Sequence, residues 1–331
     1  MRKTFWLVFL SSAVAVAAAT GYHILKEIKI GGEGGWDYLT IDSTARRLYV
    51  SHATHTVVVD PDAAKVVGDI PNTEGVHGIA IADDLGRGFT SNGRANTVTI
   101  FDLKTLKPIG SPVKTGDNPD GIRYDPVTHR VLTFNGRSKN ATVIDAKTGN
   151  VVTTIALGGK PEFPVADGKG KIYDNIEDTS EVVEIDVAKG AVTKRFSLKP
   201  CEEPSGLAID TKNRKLFSVC SNRLMAVSDP DTGKVVTTLP IGASSDGVAF
   251  DPGTGYAISS NGDGTLTIVQ QTGGKYAVVE NIATEKGART IAVDEKTHNL
   301  YLPVSKAAPP QPGQRGTQYI PDSFRVLVVG K

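Results

Sequence analysis

The chain has 331 residues and carries 37 Lys and Arg against 36 Asp and Glu, a formal net charge of +1 at neutral pH. That balance excludes a strong electrostatic pull toward nucleic-acid backbones or anionic membranes. Glycine is abundant, at 35 residues, as expected of a chain with many tight turns.

The N-terminus reads as an export leader. Arg2-Lys3 forms a positive n-region, Phe5–Ala19 is apolar and uncharged, and Ala17-Ala18-Ala19 offers a small-residue cleavage site. An uncleaved anchor is the alternative, but the apolar run is short for a bilayer span. Residues 1–19 are assigned to a cleaved signal peptide and residues 20–331 to one domain, placed in the periplasm or outside the cell. No membrane span is expected after cleavage, and a monomer is expected.

The first element of the mature chain is a strand over Tyr22–Ile30. Gly31-Gly32-Glu33-Gly34-Gly35 follows, but it joins two strands and precedes no helix, so it is not a dinucleotide-binding turn. A repeated phrase then begins near Gly35, Val76, Pro119, Pro161, Pro204, Ser245 and Ala288, at a spacing of roughly 40–43 residues. Each unit opens with an apolar run such as Ile79–Ile81, turns at Asp, Gly or Asn, and continues with a second run such as Leu48–Val50. A third run ends in Asp, as in Thr97–Asp102 and Ala141–Asp145. A Thr-Gly turn leads to a fourth run such as Val235–Leu239. Short runs rich in Val, Ile and Thr, bounded by turn residues, are strands. Units of this period cannot bury their own apolar faces and must stack in a ring. The expected fold is all-β: a seven-bladed β-propeller of four-stranded blades. The last unit lacks a fourth strand, so Tyr22–Ile30 is expected to pair with Phe324–Val329 and close the ring, removing an exposed edge.

In a propeller the loop before strand one and the loop after strand two open on one face. Registering the repeats gives an inner ring of Asp37, His77, Asp120, Glu162, Ser205, Asp246 and Arg289. A second ring reads His52, Asn92, Asn135, Asn175, Cys220, Asn261 and Val304. Packing alone would be met by apolar residues, yet most of these are polar. Four carboxylates around one funnel repel each other unless something compensates. A divalent cation is one compensation, held by some of Asp37, His77, Asp120, Glu162 and Asp246. Carboxylates with amide carbonyls suit Ca²⁺ or Mg²⁺, and the imidazoles His77 and His52 suit Zn²⁺ or Cu²⁺. Pairing of Arg289 with Asp246 or Asp37 is another, and water in an open channel is the third. Capping of backbone N–H groups by these Asp and Asn side chains is the purely structural alternative.

Arg94, Arg137 and Arg223 follow the second ring closely and could receive a carboxylate or phosphate. Solvated loop charges are the alternative. Trp36, Tyr38 and Phe163 flank the inner ring, either as stacking platforms or as packing between blades. The proline-rich insertion Lys306–Ser323 interrupts blade seven on the funnel side, as a lid, a docking segment or a tolerated loop. Cys201 and Cys220 fall in blade five, on the funnel face. A disulfide is one outcome; packed thiols or a thiolate metal site are the others.

Arg47-Leu48-Tyr49-Val50 with Val57-Val58-Val59-Asp60, Arg130–Asn135 with Thr142–Asp145, and Gly233–Leu239 resemble the YVTN family of β-propeller repeats, and more closely the YncE-like periplasmic proteins. The resemblance runs from Tyr22 to Lys331. It departs from the family pattern at Asn175-Ile176-Glu177-Asp178 and at the blade-seven insertion. It implies a seven-bladed exported propeller but no single activity. A single-stranded DNA-binding role is attributed to one relative, and more distant propellers of this shape are metal-dependent lactonases or lyases.

No nucleophile elbow, zinc-protease motif or phosphate loop is present. His129 and His298 lie in turns on the face away from the funnel, so a Ser-His-Asp triad has no support. The reading from sequence is a ligand- or partner-binding scaffold acting through the top-face funnel, with a small molecule or a periplasmic protein as partner. A metal-dependent hydrolase or lyase is the alternative, and single-stranded nucleic-acid binding a further one.

Overall fold

The structure, a computed structural model, describes residues 19–309 and 317–331. Residues 1–18 of the leader and seven residues of the blade-seven insertion therefore lie outside the described residues. Seven four-stranded antiparallel sheets make up the fold. Helix is confined, among the described residues, to two single-turn 3₁₀ segments, Asp83–Leu85 and Glu177–Thr179. No helix of the described residues is long and apolar enough to cross a membrane.

Blades one to six run outward from the axis in chain order. Blade three is typical, with strands Pro119–Asp125, Arg130–Asn135, Asn140–Asp145 and Val151–Ala156. The inner strands alternate buried residues toward both neighbouring blades, and the fourth strand keeps one face in water. Blade two is the exception in its outer strand, reduced to Val113–Lys114. Pro108 and Pro112 stand in that stretch, and proline cannot donate to a ladder.

The Asp that ends the third strand is a turn device. Asp60 Oδ1 accepts from the N–H groups of Asp62 and Ala63 at 2.9 and 2.8 Å, and Asp145 Oδ1 from those of Lys147 and Thr148 at 3.0 and 2.8 Å. Asp102 and Asp229 do the same. A carboxylate that satisfies two successive N–H groups holds the chain in the reversal between strands three and four. The recurrence of this Asp is thus explained by turn geometry.

The ring closes as expected. His23–Lys29 pairs antiparallel with Arg325–Gly330, supplying the outer strand of blade seven. Ile28 is fully buried from this strand among Leu48, Val59, Val326 and Val328, so the clasp also packs blade seven against blade one. Within blade five, Cys201 and Cys220 form a disulfide with their Cα atoms 5.7 Å apart.

Truncating Ile28 leaves a cavity at the clasp. Ile28→Ala is expected to lower the unfolding free energy by about 2–4 kcal/mol. Ile24→Ala, on the same strand but 40% exposed, should change it by less than about 0.5 kcal/mol. Urea denaturation of the two variants is the check; equal effects would mean that the strand does not carry the seam.

Candidate functional site: the axial mouth

The first strands of neighbouring blades approach closely around the axis. Pairing register aligns Tyr38, Gly78, Gly121, Phe163, Gly206, Gly247 and Thr290 as one ring of equivalent positions. Glycine is required there where the next blade's backbone is near. A Cβ on Gly206 would lie 2.8 Å from the Asp246 carbonyl oxygen, and one on Gly247 would lie 2.9 Å from Thr290 Cα. Tyr38 and Phe163, from blades one and four, fill the space the glycines leave. Their rings meet at 4.7 Å, closing the channel across the axis. Arg123 stacks over the Phe163 ring at 5.5 Å and donates to the Pro164 carbonyl.

One residue earlier stands the inner ring, and the structure brings its charged members together. These residues lie within the first strands of blades two to six, as the second residue of each, rather than in the loop before them. His77 Nδ1 is 2.5 Å from Asp37 Oδ2 and 3.6 Å from Asp120 Oδ1. Arg289 Nε donates to Asp246 at 2.7 Å, and its Nη2 lies 3.7 Å from Asp37. Lys160 Nζ is 2.6 Å from Glu162 and also pairs with Glu177. Ser205 takes no part in the charge network; its hydroxyl donates to the Ser245 carbonyl at 3.1 Å.

Burial decides the protonation states. Glu162 is 7% exposed, and burial together with the Asp120 charge pushes its carboxyl up to about 9 in spite of Lys160. Burial also raises Asp120 to about 7; His77 opposes that rise, and Asp37 and Asp246 add to it. Asp246 moves up for the same reasons, with Arg289 opposing. Burial alone would lower His77. The hydrogen bond to Asp37 and the charges of Asp120, Asp37 and Glu162 outweigh it and raise the imidazole to about 9. At neutral pH the imidazole is therefore protonated.

Sequence reasoning missed Asp174. It lies in strand two of blade four, wholly buried, and neither carboxylate oxygen has a hydrogen-bond partner. Burial, then Glu162 and Asp120, lift it well above the carboxylate range, so it is a neutral acid. The available signal is positional: the equivalent residues of the other blades are Val50, Thr90, Thr133, Ser218, Ser259 and Leu302. Lys160 and Glu177 were missed because their pairing depends on the loop after strand two.

The second ring does not line the mouth as expected. Asn92, Asn135 and Asn261 are fully buried. Their amides bond within their own blades: Asn92 to Thr97 and Thr99, Asn135 to Asn140 and Thr142, Asn261 to Thr265 and Thr267. They tie strand two to strand three. Val304 is fully buried and Cys220 is in the disulfide. His52 stacks on Phe324 at 4.5 Å and contacts His55 at 3.3 Å, outside the His77 cluster, and burial lowers it to about 4.

Asn175 was registered one residue early. Ile176 pairs with Pro161 as Asn135 pairs with Pro119 and Cys220 with Pro204. A one-residue slip moves a side chain to the other face of a sheet. Asn175 accordingly faces blade five, donating to the Ser205 and Gly206 carbonyls and accepting from Ser218. Ser91 and Ser260, at the same position, reach the next blade at the Asp120 and Ala288 carbonyls. This position latches one blade to the next.

Above the ring lies a cavity of about 650 Å³ whose walls include Asp37, His77, Arg94, Asn118, Arg137 and Arg289. Trp36 also borders it, 6% exposed, packed on Tyr319 at 4.7 Å and Phe324 at 5.4 Å. Tyr319 belongs to the described part of the insertion and lies beside the mouth. Phe163 packs on Tyr38 within the plug, so neither aromatic presents an open stacking face. Arg223 does not border the cavity. Of the five proposed metal ligands, only Asp37, His77 and Asp120 place ligand atoms within 4.8 Å of one another. Glu162 and Asp246 are engaged by Lys160 and Arg289.

The fold and the mouth define a seven-bladed propeller with a blind polar cavity on one face. No family model matches the chain, and no curated relative matches it. Among solved structures it is similar to a chain of hydrazine synthase from Kuenenia stuttgartiensis, at 17% identity and a TM-score of 0.69, covering 86% of this chain and 95% of that one. That likeness is one of fold alone. The likeness to the YVTN repeats is supported as far as the propeller architecture.

Asp120, Glu162 and His77 all hold protons to higher pH in the folded than in the unfolded chain. Their contribution to stability is therefore lost as pH rises, for Glu162 between its ordinary value and about 9. Glu162→Gln removes that loss while Lys160 keeps Glu177. Wild type should lose at least about 1 kcal/mol more than Glu162→Gln between pH 5 and pH 8.5. Urea midpoints at the two pH values test this; parallel pH dependence would show that Glu162 is ionised throughout.

Proposed function

We propose that the chain is an exported, monomeric binding propeller that takes a small ligand at the axial mouth. The observation that carries this reading is the blind cavity. It is closed below by Tyr38 and Phe163, and its floor is a pre-organised set of ion pairs rather than open water. A pocket with a few convergent polar groups and displaced pKa values is the default binding site of a fold. Placement in the periplasm or outside the cell is supported by the leader and by the Cys201–Cys220 disulfide, which suits an oxidising compartment.

A second reading, metal-dependent hydrolysis or lyase chemistry of the lactonase kind, is favoured by one specific arrangement. Asp37, His77 and Asp120 converge, and Asp120 Oδ1 is buried with no hydrogen-bond partner. A divalent cation there would replace the proton that His77 now shares with Asp37, since a ligating imidazole must be neutral. When bound it would lower the pKa of a coordinated water.

The chain has two tryptophans, Trp6 in the leader and Trp36 at the mouth. After leader removal Trp36 alone reports on the cavity. Ligands that raise the melting temperature are expected to change tryptophan emission as well; stabilising ligands that leave emission unchanged would place binding elsewhere. Elemental analysis of the purified protein tests the second reading. It requires one Ca²⁺, Mg²⁺, Mn²⁺ or Zn²⁺ per chain, lost in Asp120→Asn. No stoichiometric ion, together with no lactonase activity after adding each of these ions, removes it.

A further inference from the structure

We infer that the mouth binds a small dianion, a molecule carrying two carboxylate or phosphate charges, with Arg94 and Arg137 as its principal contacts. This inference rests on the binding reading above and names the ligand class for the same cavity.

The mouth has two tiers of charge. In the lower tier each base has an acidic partner: His77 with Asp37, Arg289 with Asp246, and Lys160 with Glu177 as well as with the protonated Glu162. In the upper tier Asp178 is paired with Lys139. Arg94 and Arg137 are left out of these pairs. Among the described residues neither guanidinium has an ion-pair or side-chain hydrogen-bond partner, and both are exposed on the wall of the cavity.

Their placement follows from the repeat. Each is the second residue after strand two, in blades two and three, so the two stand at equivalent positions on adjacent blades. The same position in the other blades holds Thr54, Asp178, Asn222, Asp263 and Lys306. The two arginines therefore stand side by side on adjacent blades, and Lys306 of blade seven is the other base at this position.

The loops that carry these arginines are seated tightly. A Cβ on Gly75 would come within 2.7 Å of Arg94 Cβ and of its backbone nitrogen. The Arg137 N–H donates to the Asp117 carbonyl at 3.2 Å, and the Asn118 N–H to Asn96 Oδ1 at 2.8 Å. A Cβ on Gly93 would lie 2.6 Å from His77 Nε2, so the absence of a side chain there leaves room for the imidazole beneath the arginines. Two unpaired guanidinium forks at equivalent positions on adjacent blades match an anion with two charged groups, because each fork can give two parallel N–H bonds to a carboxylate or phosphate.

The test is calorimetric titration of the leader-free protein at pH 7 and low salt with four probes: succinate, inorganic pyrophosphate, glucose and putrescine. Succinate or pyrophosphate is expected to bind, and the preferred one of the two identifies the carboxylate or the phosphate source. Affinity should weaken as salt rises. It should fall at least about tenfold in an Arg94→Ala/Arg137→Ala double variant whose melting temperature is unchanged. Arg94→Lys/Arg137→Lys, which keeps charge but not the fork, should recover only part of it. Arg223→Ala, outside the cavity, should bind as wild type does. Dianion binding that survives the double alanine variant overturns the proposal, and so does preference for glucose or putrescine. Glucose or putrescine binding reported by Trp36 emission would still leave the mouth as a binding site. Failure of all four probes would overturn the dianion class and withdraw support from the binding reading as well.

Discussion

The close approach of seven first strands around one axis is the constraint on which the rest of this structure depends. Where blades five and six touch their next neighbours, Gly206 and Gly247 are needed because any Cβ would collide with the adjacent backbone. Space remains for two aromatic rings, and Tyr38 and Phe163 occupy it from opposite sides. The two rings form an apolar layer beneath the inner ring. Carboxylates placed immediately above it are then held in a medium where an isolated charge is costly.

That setting explains why the inner ring is a network and not a set of solvated acids. Each ionised group has a named partner. Acids without a sufficient partner keep their protons, as Glu162 does and as the wholly buried Asp174 does. His77 is the pivot, since it lies between Asp37 and Asp120 and is held protonated by them. A cation held by Asp37, His77 and Asp120 would have to displace the proton on His77, so such binding would be coupled to protonation.

Much of the fold was legible in the repeat. Its period, the alternating strands and the missing last strand led to seven blades and a clasp between the termini, and the pairing of His23–Lys29 with Arg325–Gly330 agrees. The inner ring was legible too, because its residues share one place in each repeat. The second ring was not. Asn92, Asn135 and Asn261 satisfy Thr hydroxyls on the neighbouring strand of their own blades, a role that looks the same in sequence as one facing a funnel. At Asn175 the chain turns through a 3₁₀ segment, Glu177–Thr179, in place of the usual turn, and this departure hid the register by one residue.

The amino-acid sequence by itself determined the ring, the positions that reach its mouth and the concentration of acids there, since all three follow from a local pattern repeated at a fixed period. Only the tertiary structure decided which acid keeps a proton, which base is paired and which arginines stand free. Those outcomes depend on burial and on distances between side chains some forty residues or more apart, as with Asp37 and His77 or Asp246 and Arg289. No local pattern encodes them, because the electrostatic energy of each group is set by neighbours that only ring closure brings within reach.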